Sequence, residues 1–417
     1  MDILRYVDLF FKICVLIICT KFLYISIKKL VNDNKAIQYY IYLLFYVFYI
    51  FPIVLQLCFP YHEYTAFWRA NEAMNHPLPN IIYDIFVLVF SLTVMGSAKK
   101  AQYTYKFALS NNRLIISACT IIIIISFAAT LSTSGCSAFS SFGATYLSRT
   151  VYINESVTGC GIIAFLILLA HKKNISTVHI LCMIPLIIGL MWIVGKRYIV
   201  AETLIISIYT LSLVGVIKGK RFLRYLIFGG ITVILFCIIY GIVFKGNYIS
   251  FVDYFMVDMS RQYTLVYQFY CANIGQRISV GRFDAIIWLL LWWIPRSIWP
   301  DKPLPFVNQL TFSLISSSNL PTGLNLGWAT TCGIFSDLFD SFSFLGLGIG
   351  ILLFVWLFKI VNGTRKIHYK ILFMYLIVRL LTVQISSAII QIIVIFIIIY
   401  ICDKVGKNYY NCKLRYR

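Results

Sequence analysis

The chain reads as an all-α protein, a polytopic bundle of transmembrane helices with one large external loop. Three observations carry that class. Of its 417 residues, 60% are hydrophobic and 12% charged, with a mean hydropathy of +0.85, more apolar surface than a soluble core can bury. Apolar runs of roughly twenty residues recur, the length that crosses a bilayer. The basic residues behind the net charge of +21 gather in short clusters between those runs, the bias of cytoplasmic loops. The same clustering argues against nucleic acid as a partner, which this charge would suggest in a soluble protein. The whole of 1–417 is expected to form a single integral membrane domain.

The first span covers Val7 to Ile27 and is read as a retained helix, because no small-residue cleavage site follows it. The second covers Ile37 to Phe59, after the basic link at Lys28, Lys29 and Lys35. A polar segment, Tyr61–Asn80, carries His62, Glu63, Arg69, Glu72 and His76. The third span, Ile81–Ala98, precedes a basic loop with Lys99, Lys100, Lys106 and Arg113. The fourth, Leu114–Leu131, leads into the Ser/Gly-rich loop Ser132–Glu155. A fifth span ends at His171-Lys172-Lys173. The sixth, Ile175–Val194, ends in the tight link Gly195-Lys196-Arg197. The seventh, Tyr198–Ile217, is followed by Lys218, Lys220, Arg221 and Arg224, and the eighth covers Tyr225–Phe244.

From Lys245 to Thr331 the pattern breaks. Arg, Asp, Pro, Asn and Ser interrupt it, and a long polar break in a membrane chain is where recognition or chemistry has room. Cys332–Phe358 is expected to form the next span. The closing run Ile371–Ile401 is expected to be a hairpin of two short helices, because a single crossing would put the basic tail outside. About eleven spans result, with the N-terminus out and the C-terminus in. Placing the basic links 28–35, 99–113, 171–173, 218–224 and 359–370 in the cytoplasm puts 245–331 on the outer face. Asp284–Ile294 is apolar but too short to cross, so it lies in the interface or re-enters, with Trp288, Trp292, Trp293 and Trp299 at headgroup level.

Three features in or near the break invite chemistry. Arg197, Arg261, Arg277, Arg282 and Arg296 fall on the outer face, against the charge bias. Guanidinium groups hold phosphate bidentately and stay charged when partly dehydrated; solvated or snorkelling anchors are the structural alternative. In Trp299-Pro300-Asp301-Lys302-Pro303, two prolines bracket an acid and a base, a stiff turn with a local ion pair or a reactive pair. Asp337, with Asp340 one turn on, is either a general base with a raised pKa or a carboxylate favoured by a helix N-terminus.

The twelve cysteines show no CxxC pair and no zinc spacing with histidine, so they read as small buried hydrophobes. No phosphate-binding glycine loop, dinucleotide fingerprint, metalloprotease helix or nucleophile elbow is present. No cofactor and no metal is expected.

At Pro295-Arg296-Ser297-Ile298-Trp299-Pro300-Asp301-Lys302-Pro303 the sequence resembles the Wzy-type O-antigen polymerases, whose members carry a P-R-x-x-W-P-D-K-P-like segment late in a large periplasmic loop. A following G-x-x-x-E-x-Y-x-N-F-G-x-L-G-like pattern is similar to Gly333–Gly346, with Asp337 for Glu, Phe339 for Tyr, Ser341 for Asn and Ser343 for Gly. Val194-Gly195-Lys196-Arg197 and Asp258-Met259-Ser260-Arg261 resemble two arginine-bearing elements of the same family.

The resemblance implies a polymerase-like or ligase-like membrane glycosyltransferase in the bacterial inner membrane, with its site facing the periplasm. It would join oligosaccharide repeat units carried on undecaprenyl pyrophosphate. Arg197, Arg261 and Arg296 would hold the leaving pyrophosphate, with Arg277 and Arg282 as further candidates. Asp337 would be the base, and Trp299 to Pro303 the frame of the site. Membrane lipid and a chain-length regulator are the implied partners. Two rivals are an O-antigen ligase, which would be expected to use a loop histidine that Lys245–Thr331 lacks, and a non-enzymatic polysaccharide flippase.

Overall fold

The computed structural model describes residues 2–33, 35–60, 63–64, 67–99, 113–135, 151–172, 175–195, 197–245, 252, 255–291, 293–315, 330–383 and 391–405. Its regular elements, among these, are all helices. In chain order they are α1 (Asp2–Val31), α2 (Ile37–Cys58), α3 (Trp68–Met74), α4 (Pro77–Lys99), α5 (Arg113–Ser134), α6 (Val151–Ala170), α7 (Thr177–Val194), α8 (Arg197–Leu213) and α9 (Lys220–Lys245). Then follow α10 (Gln262–Asn273), α11 (Asp284–Leu291), α12 (Phe306–Ile315), α13 (Ile334–Phe342), α14 (Phe344–Gly363), α15 (Ile367–Thr382) and α16 (391–405).

Six of the described helices are long and apolar enough to cross a membrane: Ile3–Val31, Ile37–Cys58, Pro77–Ala98, Arg113–Ser134, Thr177–Val194 and Phe344–Gly363. Glu155–Ala170 and Tyr198–Leu213, expected as spans, are apolar but shorter. Large hydrophobic side chains such as Ile17, Ile125, Leu352 and Trp356 stay exposed on these helices, as lipid-facing surfaces require.

Backbone contacts gather the chain into two compact units. One comprises Met1–Ala101, Gly230–Lys359 and Ile377–Ser386; the other comprises Gln102–Gly229, Ile360–Leu376 and Ser387–Arg417. In the second unit, α5 packs on α6 and α7, and α6 also packs on α7 and α8. In the first, α1 packs along α4, and α10 lies against α3, α4 and α13. An aromatic cluster fills that unit's core. The Phe335 ring meets Tyr49, Phe86, Phe90 and Phe354 at centroid distances of 6.3, 4.8, 5.3 and 5.3 Å.

Two elements differ from the expectation, the long break and the span after it. The break between 245 and 331 is not an open loop throughout, because it contains α10, α11 and α12. The run expected as one span from Cys332 to Phe358 is two helices. Ser343 takes φ 54°, ψ −140° between α13 and α14, and the Cβ that Gly346 lacks would fall 2.0 Å from the Leu338 carbonyl oxygen. The chain therefore folds back on itself there instead of continuing straight. Asp337 consequently sits on a nine-residue helix outside the span. The closing apolar run is divided, with α15 ending at Thr382 and α16 starting at 391. At eight residues, α11 is about 12 Å long and cannot cross a bilayer. Trp292 lies outside the described residues.

Candidate functional site

Helix α10 starts at a junction built around a missing hydrogen bond. Within α2 the backbone widens to a π-turn over Tyr46–Ile50. Two residues later stands Pro52, which has no N–H to give to the Phe48 carbonyl four positions back. The Arg261 backbone N–H takes that carbonyl at 2.9 Å.

The Arg261 side chain, with no exposed surface, then turns to other carbonyls. Its Nε donates to the Thr382 oxygen at 2.8 Å, and Nη1 donates to the Met259 and Ser260 oxygens at 3.1 Å each. The guanidinium carbon lies 5.1 Å from the Phe48 ring centroid, a cation–π contact. Thr382 is the last residue of α15, so the guanidinium occupies the place where a cation favours a helix C-terminus. The Tyr49 hydroxyl takes the adjacent Leu381 carbonyl at 2.9 Å. Gly333 fits closely here, since a Cβ on it would lie 2.6 Å from the Leu381 oxygen. Arg261, proposed from sequence as a phosphate ligand, is therefore a buried clamp on backbone carbonyls.

Arg296 is placed comparably, though at the surface. Its Nη1 donates to the Lys302 and Pro300 carbonyls at 2.8 and 3.4 Å, and Nη2 donates to that of Pro303 at 3.1 Å. Lys302 is buried, donates from Nζ to the Ile294 carbonyl at 2.9 Å, and lies 5.7 Å from the Trp288 ring centroid. Burial, and then the Arg296 charge, lower the Lys302 pKa. The two cations thus tie 294–303 into a closed loop from opposite ends. Trp299 and Pro303 are half-buried within it, and Pro300 and Asp301 are exposed at its turn. The side chain of Arg197 lies outside the described residues.

Arg277 and Arg282 line a cavity of about 260 Å³ with Gln268, Cys271, Gln276, Phe339, Asp340, Ser341 and Ser343 among its other walls. The end of α10 forms one wall. The Gly275 N–H bonds the Ala272 carbonyl at 3.2 Å and the Gln276 N–H bonds that of Cys271 at 2.8 Å, with Gly275 at φ 72°. This paired C-terminal closure needs the left-handed conformation that glycine adopts freely. Arg277 follows immediately, at the negative end of the helix dipole.

Arg282 is carried on a turn fixed from two sides. Gln309 of α12, which is buried, accepts from the Val280 N–H through Oε1 at 3.1 Å, and the Asp284 carboxylate accepts from the Gly281 N–H at 2.8 Å. Both arginines are exposed at the rim. Helix α13 supplies the opposite wall, its Phe339 ring packed edge-on against Phe269 at 4.8 Å.

Asp340 accepts from the Ser279 hydroxyl. Burial pushes its pKa up to about 6, opposed by hydrogen bonds from the Ser279 side chain and backbone, raised further by Asp284 and lowered by Arg277. Asp337, one turn earlier, is not among the cavity walls. Its Oδ1 lies 4.0 Å from the Cys332 thiol. Though part of its surface remains open, the protein packed around it and then the Asp340 charge push its pKa up to about 8. A carboxyl with that pKa is mostly protonated at neutral pH, whereas Asp340 is mostly ionised.

Two polar groups of the cavity walls are buried without a hydrogen-bond partner among the described residues. They are the Gln268 carboxamide, at both its oxygen and its nitrogen, and the Ser341 hydroxyl. Gln268 is 2% exposed and Ser341 1%. Gln268 belongs to no motif that marks it in the sequence. The available signal was one amide within Tyr267-Gln268-Phe269-Tyr270-Cys271, on a helix whose buried face is otherwise largely aromatic or aliphatic.

Comparison with protein-family models, with curated proteins and with solved structures finds no match to this chain.

Proposed function

We propose that the chain is a membrane glycosyltransferase that polymerises oligosaccharide repeat units carried on undecaprenyl pyrophosphate, at the periplasmic face of a bacterial inner membrane. The observation that supports this most is the cavity formed by α10, the 278–282 turn and α13. Two arginines and a partly dehydrated carboxylate line one space there, the set needed to stabilise an anionic leaving group while deprotonating an alcohol. The resemblance around Trp299-Pro300-Asp301-Lys302-Pro303 supplies the substrate class.

In this reading the lipid pyrophosphate of the growing chain meets Arg277 and Arg282. The acceptor sugar hydroxyl gives its proton to Asp340 as its oxygen bonds to the anomeric carbon of the donor. The bond from that carbon to the pyrophosphate oxygen breaks, and its electron pair leaves on the lipid pyrophosphate, whose charge the guanidinium groups take up. Asp340 replaces Asp337 as the base, because a pKa of about 6 leaves it ionised at neutral pH. Arg261 and Arg296 shape the neighbouring backbone instead of holding phosphate. A chain-length regulator is the protein partner this reading brings with it.

The test is the lipopolysaccharide ladder of a deletion strain. Loss of polymerisation leaves lipid A-core capped by one repeat unit, and the wild-type gene restores the ladder. The double variant R277A/R282A is expected to reach the membrane at normal levels and leave the single-unit band. A wholly unsubstituted core in the deletion strain would point to a ligase or a flippase instead. A full ladder from the double variant would remove the cavity from the mechanism.

A further inference from the structure

The cavity holds more polar capacity than an anion uses. Arg277 and Arg282 can meet phosphate oxygens, but the buried groups have different needs. A carboxamide carries an acceptor and a two-proton donor side by side, and a hydroxyl can act as either. With Gln268 Oε1, Gln268 Nε2 and Ser341 Oγ all lacking partners among the described residues, the protein carries the desolvation cost of each unmet group.

A fully ionised phosphate ester offers only acceptors and leaves Gln268 Oε1 unmet. An ammonium offers donors and leaves Nε2 unmet. A hydroxyl offers both, and two adjacent ring hydroxyls present a donor and an acceptor at the spacing of one carboxamide. The volume, about 260 Å³, is just below the range of roughly 300–1,000 Å³ usual for small-molecule sites. It suits one sugar ring with its phosphate at the mouth and not an oligosaccharide.

We propose that Gln268 and Ser341 select the sugar of the bound glycosyl phosphate by hydrogen-bonding a vicinal diol, with its phosphate on Arg277 and Arg282. This rests on the glycosyl-phosphate reading of the cavity and deepens it, making Gln268 the specificity-determining residue. Both polar groups have almost no open surface as placed, so the diol reaches them through a rotamer-scale shift of the wall, common on ligand binding. Asp340 lies in the same wall as Ser341 and is left for the acceptor.

The test uses the full-length protein in lipid nanodiscs and measures binding of glucose, galactose and mannose 1-phosphates, each against its monodeoxy analogues, with inorganic pyrophosphate as the anion-only control. Wild-type protein is expected to bind at least one hexose phosphate and to lose about tenfold or more affinity when either of two adjacent hydroxyls is removed, because the buried partner is then left unmet. Gln268→Leu keeps the volume and removes the unmet atoms. It is expected to bind parent and deoxy compounds alike, keep its pyrophosphate affinity, and melt at the same temperature or higher. A lower melting temperature would show that the carboxamide is satisfied within the fold, and would overturn the proposal. Equal binding of parent and deoxy sugars by the wild type, or no hexose phosphate binding, would overturn it too. The ladder reports separately on polymerisation: discrimination without a ladder defect in the deletion strain sinks the polymerase reading alone.

Discussion

Replacing Arg261 with alanine is expected to destabilise the first unit, not merely to silence a site. The side chain makes three hydrogen bonds to backbone carbonyls, of Thr382, Met259 and Ser260, with no exposed surface. A hydrogen bond involving a charged group contributes roughly 1.5–3 kcal/mol net, and an orphaned buried acceptor costs about 1–3 kcal/mol. Because the three bonds share one guanidinium and are not additive, the low end gives a loss of about 4 kcal/mol. The contact with the Phe48 ring adds about 1 kcal/mol. Against the 5–15 kcal/mol typical of folded domains, that is a large share. At about 2–4 °C per kcal/mol for a unit of this size, the melting temperature should fall by about 10 °C or more. The assay is thermal unfolding in detergent followed by a thiol-reactive dye, since Cys19 and Cys332 are fully buried. Arg261→Lys should fall between, because one ammonium cannot span all three acceptors. A variant R261A that melts within 2 °C of wild type, a margin set by that scale, would refute the clamp and return Arg261 to the phosphate site.

Ser343→Gly should stabilise the protein by about 1 kcal/mol, read in the same melt, because Ser343 holds a φ of 54° that glycine adopts without strain; a loss of stability would mean that its side chain has a role at the cavity. Asp337→Asn should change how stability depends on pH. The folded pKa of about 8 lies above the ordinary 3.8, so the folded state binds this proton more tightly, and the stability it contributes is full below 3.8 and lost as pH rises through 8. Melting curves of the wild type should therefore fall across that window and those of D337N should fall less; parallel curves would contradict the assignment. Arg296→Ala should leave the melt within about 1 kcal/mol of wild type, as expected for a surface site, while protease cleavage within 294–303 speeds up, since three carbonyls of that loop lose their donor; an unchanged cleavage rate would mean that Lys302 alone holds the loop.

What the sequence disclosed follows from the range of the forces involved. Spanning helices are local in origin, so α1, α2, α4, α5, α7 and the body of α14 could be read from runs of apolar residues and the clusters between them. Pro52 was visible too, but not that its missing N–H frees a carbonyl for a residue more than two hundred positions away. For that reason Arg261 read as an external anion ligand. Arg296 read the same way, as an arginine on the face opposite the basic loops, and only the folded loop shows its donors turned onto 300, 302 and 303. The turn at Ser343 was half legible, as a position where the resembling pattern has glycine, although the expected helix ran straight through it. Gln268 stayed hidden because an uncharged amide among aromatics has no distinctive spacing. What marks it is a carboxamide with neither atom partnered among the described residues, a property of the tertiary structure.

The Arg261 clamp also sets an order on biogenesis. It joins three pieces of chain that leave the ribosome far apart in time: the turn at Phe48, the segment before α10, and the end of α15. Until residue 382 has been inserted, the guanidinium lacks its partner on α15, and that helix lacks the cation at its end. The N-terminal helices must therefore wait in the membrane with their core unfinished. A chain stopped short of Thr382 is a natural target for quality-control proteases, however completely its earlier spans have been inserted.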